Sequence, residues 1–165
     1  MSIADAFSME LQHEGALTRK TLARVPEGKL DFKPHEKSMS MGTLAAHIAE
    51  SIGWGVIVLQ QDLFDFDPEK YTPLRPESPK QVVELFDKHL AALQAALKGF
   101  EDRAMSATWK MTMKGQTVLE LPRAAVLRAM IMSHNVHHRA QLGVYLRLNN
   151  VPVPASYGPS ADEEP

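Results

Sequence analysis

Hydrophobic residues recur at three- and four-residue steps along four long stretches of the chain, the spacing that gathers side chains on one face of an α-helix. The first predicted helix covers residues 3–24, and the second begins at residue 40 or 41 and continues to about residue 63. The third covers about 78–99, and the last covers 122–148 and ends before two asparagines. Serines at the second and third starts, with a proline directly after the latter, are typical helix start signals.

The segments between these stretches have other patterns. Residues 29–39 and 65–77 contain prolines and charges without helical periodicity, so both are predicted loops, and the second is long enough to cross between separated helices. Residues 109–121 alternate loosely around Lys114-Gly115, which predicts a short β-hairpin or an extended arm. Residues 151–165 form a proline-rich tail.

Four amphipathic helices in one short chain are most simply buried against one another. The predicted fold is therefore all-α, a four-helix bundle, with the hairpin or arm placed between the third and fourth helices. A chain of 165 residues has a usual length for one hydrophobic core, so we expect a single domain over residues 1–150 followed by the tail over 151–165.

Charge and composition narrow the expected partners. The 18 basic and 20 acidic residues nearly cancel without long runs of one sign, which argues against a nucleic-acid partner. The longest apolar run, Ile52 to Leu59, is far shorter than the roughly 20 residues that span a bilayer, and the start does not resemble a signal peptide. We therefore expect a cytoplasmic protein without a membrane partner. Because the chain has no cysteine, any metal site must use nitrogen and oxygen ligands.

Three of the seven histidines lie on predicted apolar faces. His134 and His138 are four residues apart on the last helix, and His47 is on the second. Residues i and i+4 lie about 40° apart around a helix, so the imidazoles of His134 and His138 can converge on one point. If His47 supplies a third nitrogen, a tetrahedral metal keeps one position open for water or substrate.

Two alternatives are compatible with the same spacing. A histidine on an apolar face is more often a core residue hydrogen-bonded to a carbonyl or hydroxyl group than a metal ligand. His137 is only three residues from His134, so helical geometry permits either His137 or His138 as its partner. His138 lies nearer the centre of the apolar stripe.

The segments HNVHHRAQL, at residues 134–142, and LAAHIAES, at 44–51, resemble the DinB-like (YfiT-like) metal-binding helical bundles. Residues 21–50 and 151–163 are similar as well, so the resemblance extends over nearly the whole chain. It implies a four-helix bundle, often a homodimer, in which His47, His134 and His138 hold a divalent metal. His137 and Arg139 match the family pattern without being expected ligands.

The resemblance also implies the class of function. Some relatives look like transferases or isomerases that use a small-molecule thiol, and others look like hydrolases. We therefore expect a divalent-metal-dependent enzyme acting on a small-molecule substrate, with a non-catalytic metal-binding or stress-response protein as the alternative. Three neutral imidazoles favour zinc or nickel, then iron or copper, over magnesium and calcium. A thiol reaction needs a diffusible low-molecular-weight thiol, because the chain has none.

Other residues have less informative patterns, and no catalytic residue is assigned. Glu50, one turn beyond His47, either orients a ligand, acts as a base, or is a solvated helix residue. Trp54 and Trp109 either line a pocket or pack in the core. Tyr157 either folds back over the site or belongs to a dangling tail. The remaining histidines lack a convergent pattern and are predicted to lie at the surface or in loops: His13, His35 and His89.

Overall fold

Three long helices occupy the stretches where the sequence predicts them. The computed structural model describes residues 1–164, in which α1 spans Ile3–Leu22, α2 spans Met41–Gln60 and α3 spans Pro79–Leu97. Each helix lies within its predicted stretch.

Serine side chains cap the starts of these three helices. Each serine oxygen accepts a hydrogen bond from the backbone amide three residues ahead, which satisfies a donor that the helix itself cannot pair: Ser2, Ser40 and Ser78. In α1 the Asp5 carboxylate also accepts a bond from the Ser2 amide and completes a capping box.

The last helical stretch is divided by a wide turn, which the sequence pattern did not predict. An α-helix, α5, spans Arg123–Val126, a π-helical segment spans Leu127–Ser133, and α6 spans His134–Leu148. Within the π-helical segment the backbone bonds reach five residues back, and the His134 amide accordingly donates to the Ala129 carbonyl. The predicted end before the asparagine pair is confirmed, since α6 ends at Leu148.

A small three-stranded sheet lies beside the helices. Strand β1 spans Leu63–Asp65, β2 spans Thr108–Met113 and β3 spans Gln116–Pro122, with β1 parallel and β3 antiparallel to β2. The predicted hairpin is therefore present. Its turn residues Lys114 and Gly115 both have positive φ, at 51° and 76°, as a tight turn between twisted strands requires.

The end of α2 corrects the sequence prediction, which extended this helix to about Leu63. Arg123 donates hydrogen bonds from Nε to the Val58 carbonyl at 2.9 Å and from an Nη atom to the Gln61 carbonyl at 3.1 Å. This guanidinium satisfies carbonyl groups that the helix end leaves unpaired. The chain then leaves the helix and pairs residues 63–65 with β2.

The four long helical stretches surround one hydrophobic core. Both α1 and α2 pack against α3 on one side and against α6 on the other. The approach of α2 to α3 depends on Gly55, where an added Cβ would lie 2.8 Å from the Leu93 methyl carbons. The fold is thus mostly helical, as predicted. It is not all-α, because of the sheet, and the count of four helices is not confirmed: a short helix, α4, spans Asp102–Ser106, and the last stretch is divided.

Helix α2 is also the most apolar element. Among residues 1–164, it is the single helix long and apolar enough to cross a membrane by length and composition, with a mean hydropathy of 1.4. Its most apolar window is 61% buried inside the protein, as in the central helix of a folded core.

The proline-rich segment after α6 is folded against the helices instead of dangling. Ala155 is buried, and ion pairs join Arg24 to Glu163 and Arg147 to Asp162. The Asp162 carboxylate also accepts a hydrogen bond from the Val153 amide. We call residues 151–164 the C-terminal clasp.

Candidate metal centre

Three imidazoles converge between α2 and α6. His47 comes from α2, and His134 and His138 come from the first two turns of α6; one ring nitrogen of each lies within 4.8 Å of the other two. The Nε2 atoms of His47 and His134 are 2.8 Å apart. Nitrogens around a tetrahedral zinc ion lie about 3.3 Å apart, a separation comparable to those between the nitrogens of this cluster. The three predicted ligands thus lie together, and their binding of a metal stays a prediction.

His138 has a partner that orients its ring. Its Nδ1 donates to the side-chain oxygen of Gln141 at 2.7 Å, which leaves the Nε2 lone pair free for a metal. Such a bond on the remote nitrogen is the usual support of a ligating histidine. Sequence reasoning did not select Gln141, although its position three residues after His138 places it on the same helix face.

Burial keeps the three rings neutral. Desolvation is the largest cause of a lowered pKa at each of His47, His134 and His138, because removal from water disfavours the charged form. Neighbouring imidazoles lower the pKa of His134 further, to about 4. Neutral imidazole is the form that coordinates a metal, so at neutral pH the cluster does not have to lose protons first.

A buried amide fixes α6 against two other helices directly beside His134. The Asn135 Oδ1 accepts a hydrogen bond from Thr18 of α1 at 2.9 Å. Its Nδ2 donates to the Ile48 carbonyl of α2 at 2.9 Å and to the Ser51 hydroxyl at 3.2 Å. All of these groups lie in the core, so the network holds the histidine-bearing parts of α2 and α6 in register.

A buried ion pair holds α6 against α1 at the residue directly after His138. The Arg139 side chain, 4% exposed, pairs with the Glu14 carboxylate of α1 at 2.7 Å and donates to the Tyr157 hydroxyl at 2.7 Å. Tyr157 in turn donates to Glu14, so the C-terminal clasp is anchored to α1 and α6. Tyr157 therefore does not dangle. Neither Arg139 nor Glu14 was predicted to be buried. The sequence feature that could have indicated the burial of Arg139 is that a polar residue directly follows each predicted ligand histidine on α6.

An apolar cavity of about 190 Å³ opens beside the histidines. His47 and His134 contribute to its wall, and no Asp, Glu, Lys or Arg of the described chain does. Most of the wall consists of large apolar side chains from α2, the sheet and the π-helical segment: Trp54, Ile57, Phe64, Trp109, Met111 and Ile131. Both tryptophans thus line a pocket, and Trp109 is at the same time a buried core residue, so both roles considered from the sequence are present.

The two tryptophans differ in their burial and in their contacts. Trp54 is half-buried and contacts three aromatic residues of the segment after α2. Its ring centroid lies 5.5–6.1 Å from those of Phe64, Phe66 and Tyr71. Trp109 is 3% exposed, and its Nε1 is the one buried side-chain polar atom in residues 1–164 without a hydrogen-bond partner. An unpaired buried donor costs about 1–3 kcal/mol, and because this nitrogen is itself inaccessible, a group in the cavity does not reach it.

Glu50 is half-buried, and its carboxylate binds the segment that follows α2. Its two carboxylate oxygens accept hydrogen bonds from the Tyr71 hydroxyl at 3.1 Å and from the Leu74 amide at 3.0 Å. Burial, followed by the Glu50 charge, raises the pKa of Tyr71 to about 12, so this hydroxyl keeps its proton. Glu50 therefore anchors the segment that crosses from α2 to α3.

The other histidines occupy different environments. His137 is exposed on α6, and His13 and His35 are exposed as predicted. His89 corrects the prediction, because it is half-buried and its Nδ1 lies 2.9 Å from the Ala49 carbonyl of α2. Its ring packs over Gly53, where an added Cβ would lie 2.9 Å from Nδ1.

Comparison with known proteins agrees with this fold. The uncharacterized protein YrdA of Bacillus subtilis is 26% identical over 160 residues, which are 96% of this chain and 90% of that protein. The crystal structure of a DinB-like protein from Bacillus cereus matches with a TM-score of 0.70 at 22% identity, over 93% of this chain and 97% of that one. A mycothiol-dependent maleylpyruvate isomerase matches with a TM-score of 0.60 at 17% identity, over 87% of this chain and 63% of that one.

At these identities the solved structures establish a shared fold and not a shared activity. A model of the DinB family matches residues 1–164. The chain therefore belongs to the DinB family.

Proposed function

We propose that the protein is a divalent-metal-dependent enzyme that transfers a small-molecule thiol to an electrophilic small-molecule substrate. The observation that carries the proposal is the convergence of His47, His134 and His138 beside an apolar cavity whose wall includes His47 and His134. Three neutral imidazoles suit zinc or nickel and leave room for an exchangeable ligand. A bound ion of this kind stabilises a thiolate or polarises a carbonyl group.

The thiol has to come from outside the chain, because the protein has no cysteine. The structural similarity to a mycothiol-dependent maleylpyruvate isomerase supports a diffusible low-molecular-weight thiol in this role. In the transfer, the sulfur bonds to the electrophilic carbon, the leaving group departs with its electron pair, and the thiol proton passes to solvent. A hydrolase using the same site would replace the thiol by water.

The protein's own residues have separable roles in this proposal. His47, His134 and His138 hold the ion, and Gln141 orients the His138 ring. Asn135 keeps α6 against α2, so that the rings do not have to be brought together on binding. The apolar wall keeps water away from the reacting groups.

Metal analysis tests the ligand set. Purified protein is expected to contain close to one zinc or nickel ion per chain, and His47→Ala and His138→Ala are expected to lose it. His137→Ala is the matched control, because it removes an exposed imidazole from the same helix. Unchanged metal content in the first two variants, or loss in the control, contradicts the proposed ligands.

Turnover requires a second test. Thiol consumption should be followed with a panel of low-molecular-weight thiols and electrophiles, and ester and amide hydrolysis should be assayed in parallel. We expect thiol transfer that disappears with a chelator and returns with added metal. Hydrolysis with the same metal dependence would identify a hydrolase. Absence of both, together with a fourth protein ligand on the ion, would identify a non-catalytic metal-binding or stress-response protein.

We further propose that the enzyme works in the cytoplasm as a homodimer without nucleic-acid or membrane partners. The near balance of acidic and basic residues supports the absence of nucleic acid, and the homodimer is what the family resemblance implies. Sedimentation of the full chain with and without metal tests the dimer, and a single monomeric species under both conditions contradicts it.

A further inference from the structure

The half-exposed face of α2 connects the candidate metal centre to a second pocket, which is polar. We propose that this pocket binds a carboxylate of the low-molecular-weight thiol while the thiol sulfur lies at the metal. The position of the sulfur rests on the proposed function; the carboxylate site rests on the pocket alone.

One stripe of α2 passes both places. Half-buried residues recur along this helix at three- and four-residue steps: Thr43, His47, Glu50, Trp54 and Ile57. Trp54 and Ile57 line the apolar cavity beyond His47, whereas Thr43 lines the polar pocket. Thr43 precedes His47 by one helical turn, about 6 Å along the axis. The polar pocket and the apolar cavity therefore lie at opposite ends of the stripe, with the His47 ligand between them.

A fixed segment brings Arg75 to the polar pocket. The Leu74 amide donates to the Glu50 carboxylate at 3.0 Å, which holds this part of the crossing segment against α2. The next two residues, Arg75 and Pro76, line the pocket together with Thr43. The Glu50 bond therefore positions a guanidinium group beside the same helix face that carries His47.

The opposite wall contains Lys33 and is held by the start of α2. The Met41 amide donates to the Phe32 carbonyl at 2.8 Å, and the Gly42 amide donates to the Leu30 carbonyl at 2.8 Å. These amides are engaged, so a ligand in the pocket is bound by side chains and not by the helix N-terminus. The loop that carries Lys33 is anchored on both sides of Asp31.

The pocket wall has positive charge to spare. Lys33 and Arg75 are exposed, and neither is in an ion pair within residues 1–164. Asp31 is the one acidic residue of the described wall, so the lining side chains have a net charge of +1. The Ser40 and Thr43 hydroxyls are 3.0 Å apart, and since one donates to the other, a second hydroxyl hydrogen is left for a ligand oxygen. Such donors suit an anionic group.

The short separation favours a carboxylate close to the sulfur. Because the pocket begins one helical turn from His47, a ligand that reaches both places needs only a few bonds between its sulfur and its charge. Amino-acid and peptide thiols have this arrangement, whereas the phosphates of coenzyme A lie at the end of a long pantetheine arm. The pocket volume of about 490 Å³ accommodates an amino-acid-sized group.

Four probes separate these features. Glutathione has a thiol and free carboxylates, its diethyl ester keeps the thiol and masks the carboxylates, and S-methylglutathione keeps the carboxylates without a free thiol. Coenzyme A places its charge far from the sulfur. Binding to the full chain is measured by isothermal titration calorimetry, once with zinc-loaded protein freed of excess zinc and once with chelator-treated protein.

We expect glutathione to bind the zinc-loaded protein at least tenfold more tightly than the diester or coenzyme A. Arg75→Gln and Lys33→Gln should each weaken glutathione at least threefold and leave the diester unchanged. Both residues are exposed, so their substitution is not expected to unfold the chain. Lys37→Gln is the matched control, because it removes an exposed lysine of the same loop that does not line the pocket. It should bind all four probes as the wild type does.

Equal or tighter binding of the diester or of coenzyme A would overturn the inference. So would glutathione binding that is unchanged in both Arg75→Gln and Lys33→Gln, or that is weakened as much in Lys37→Gln. The chelator-treated protein keeps the two proposals separate. Arg75-dependent binding of S-methylglutathione by a protein that takes up no metal would contradict the proposed function alone. Zinc-dependent glutathione binding that is insensitive to both cations would contradict the carboxylate site alone.

Discussion

Asn135 shows how much a single buried side chain contributes to the geometry of the candidate metal centre. Its amide is bonded to groups from α1 and α2, one residue after His134. Asn135→Ala leaves the Thr18 hydroxyl without its acceptor, whereas the Ile48 carbonyl still accepts from the Ser51 hydroxyl. A buried group left unpaired costs about 1–3 kcal/mol. We expect a loss of about 2–3 kcal/mol in the free energy of unfolding, measured by urea denaturation.

The exposed neighbour provides the control for that measurement. His137→Ala on the same helix is expected to change the free energy of unfolding by less than about 0.5 kcal/mol. Equal effects of the two substitutions would show that the Asn135 network does not hold α6 in place.

The Arg139–Glu14 pair leads to a second prediction at this scale. The two side chains are 4% and 11% exposed. Arg139→Ala leaves the buried Glu14 carboxylate without its positively charged partner, so we expect a loss of about 3–5 kcal/mol in the free energy of unfolding. The double substitution of Arg139 and Glu14 by alanine should cost less than the sum of the single changes, because no unpaired charge remains. Strict additivity in the denaturation curves would contradict this coupling.

Individual residues were predictable from the sequence to different degrees. His134 and His138 could be selected because a spacing of four residues has a direct geometric meaning on a helix. The burial of Asn135 and Arg139 was not predicted. On a regular helix with His134 and His138 on the apolar face, the polar residue after each histidine is expected to face solvent. Glu50 was missed as a loop anchor because its partners, Tyr71 and Leu74, lie in a segment without periodicity.

At the scale of elements, the π-helical segment Leu127–Ser133 leads to a test by deletion. A π-helical turn holds about one residue more than an α-helical turn, so removing one exposed residue such as Ala129 is expected to restore a regular helix. We expect this variant to keep its metal and its far-ultraviolet circular dichroism. Deletion of Ala140 from the regular part of α6 should instead rotate Leu142 out of the core and unfold the protein. The reverse outcome would contradict this interpretation.

The C-terminal clasp is expected to open in acid. A hydrogen bond from Arg147 lowers the pKa of the Asp162 carboxyl, and a backbone hydrogen bond from Ala155 lowers that of Glu163. Since the folded-state pKa of each group is depressed, the stabilisation is present above the ordinary values of 3.8 and 4.5 and is lost as the pH falls through the lower folded values. Protection of the Val153 amide, which donates to Asp162, should fall over that range when exchange is compared with its intrinsic rate at each pH.

Charge removal at neutral pH should reproduce the acid effect. Asp162→Asn is expected to speed exchange at Val153 at pH 7 while leaving the amides of α2 protected. Unchanged exchange in both experiments would mean that the apolar contacts of the clasp, including buried Ala155, are sufficient to hold it.

Elements with local signals were predictable, and those with distant partners were not. The β2–β3 hairpin could be predicted from alternation around Lys114-Gly115, because both strands and their turn are contiguous. Strand β1 could not, since it has only three residues and its partner β2 begins far along the chain. For the same reason the end of α2 was misplaced, because the Arg123 side chain that caps it follows β3.

At the scale of the whole molecule, a metal that binds only the folded chain raises its stability. At a free zinc concentration one hundred times the dissociation constant, the gain is about 2.7 kcal/mol, which corresponds to an increase of about 5–10 °C in the melting temperature. We expect this increase for the wild type and its absence for His138→Ala, measured by differential scanning calorimetry. An equal increase in both proteins would indicate zinc binding elsewhere.

The mostly helical architecture followed from periodicity alone, because each long stretch had to bury its apolar face against the others. The cavity did not follow, because its wall combines residues from α2, the sheet and the π-helical segment that no sequence pattern links.

The π-helical segment has a consequence for protein engineering. A designer who transfers His47, His134 and His138 to a straight-helix scaffold can leave the widening out, because all three ligands lie outside Leu127–Ser133. The scaffold helix then needs one residue fewer before His134, so that the apolar side chains upstream still face the core.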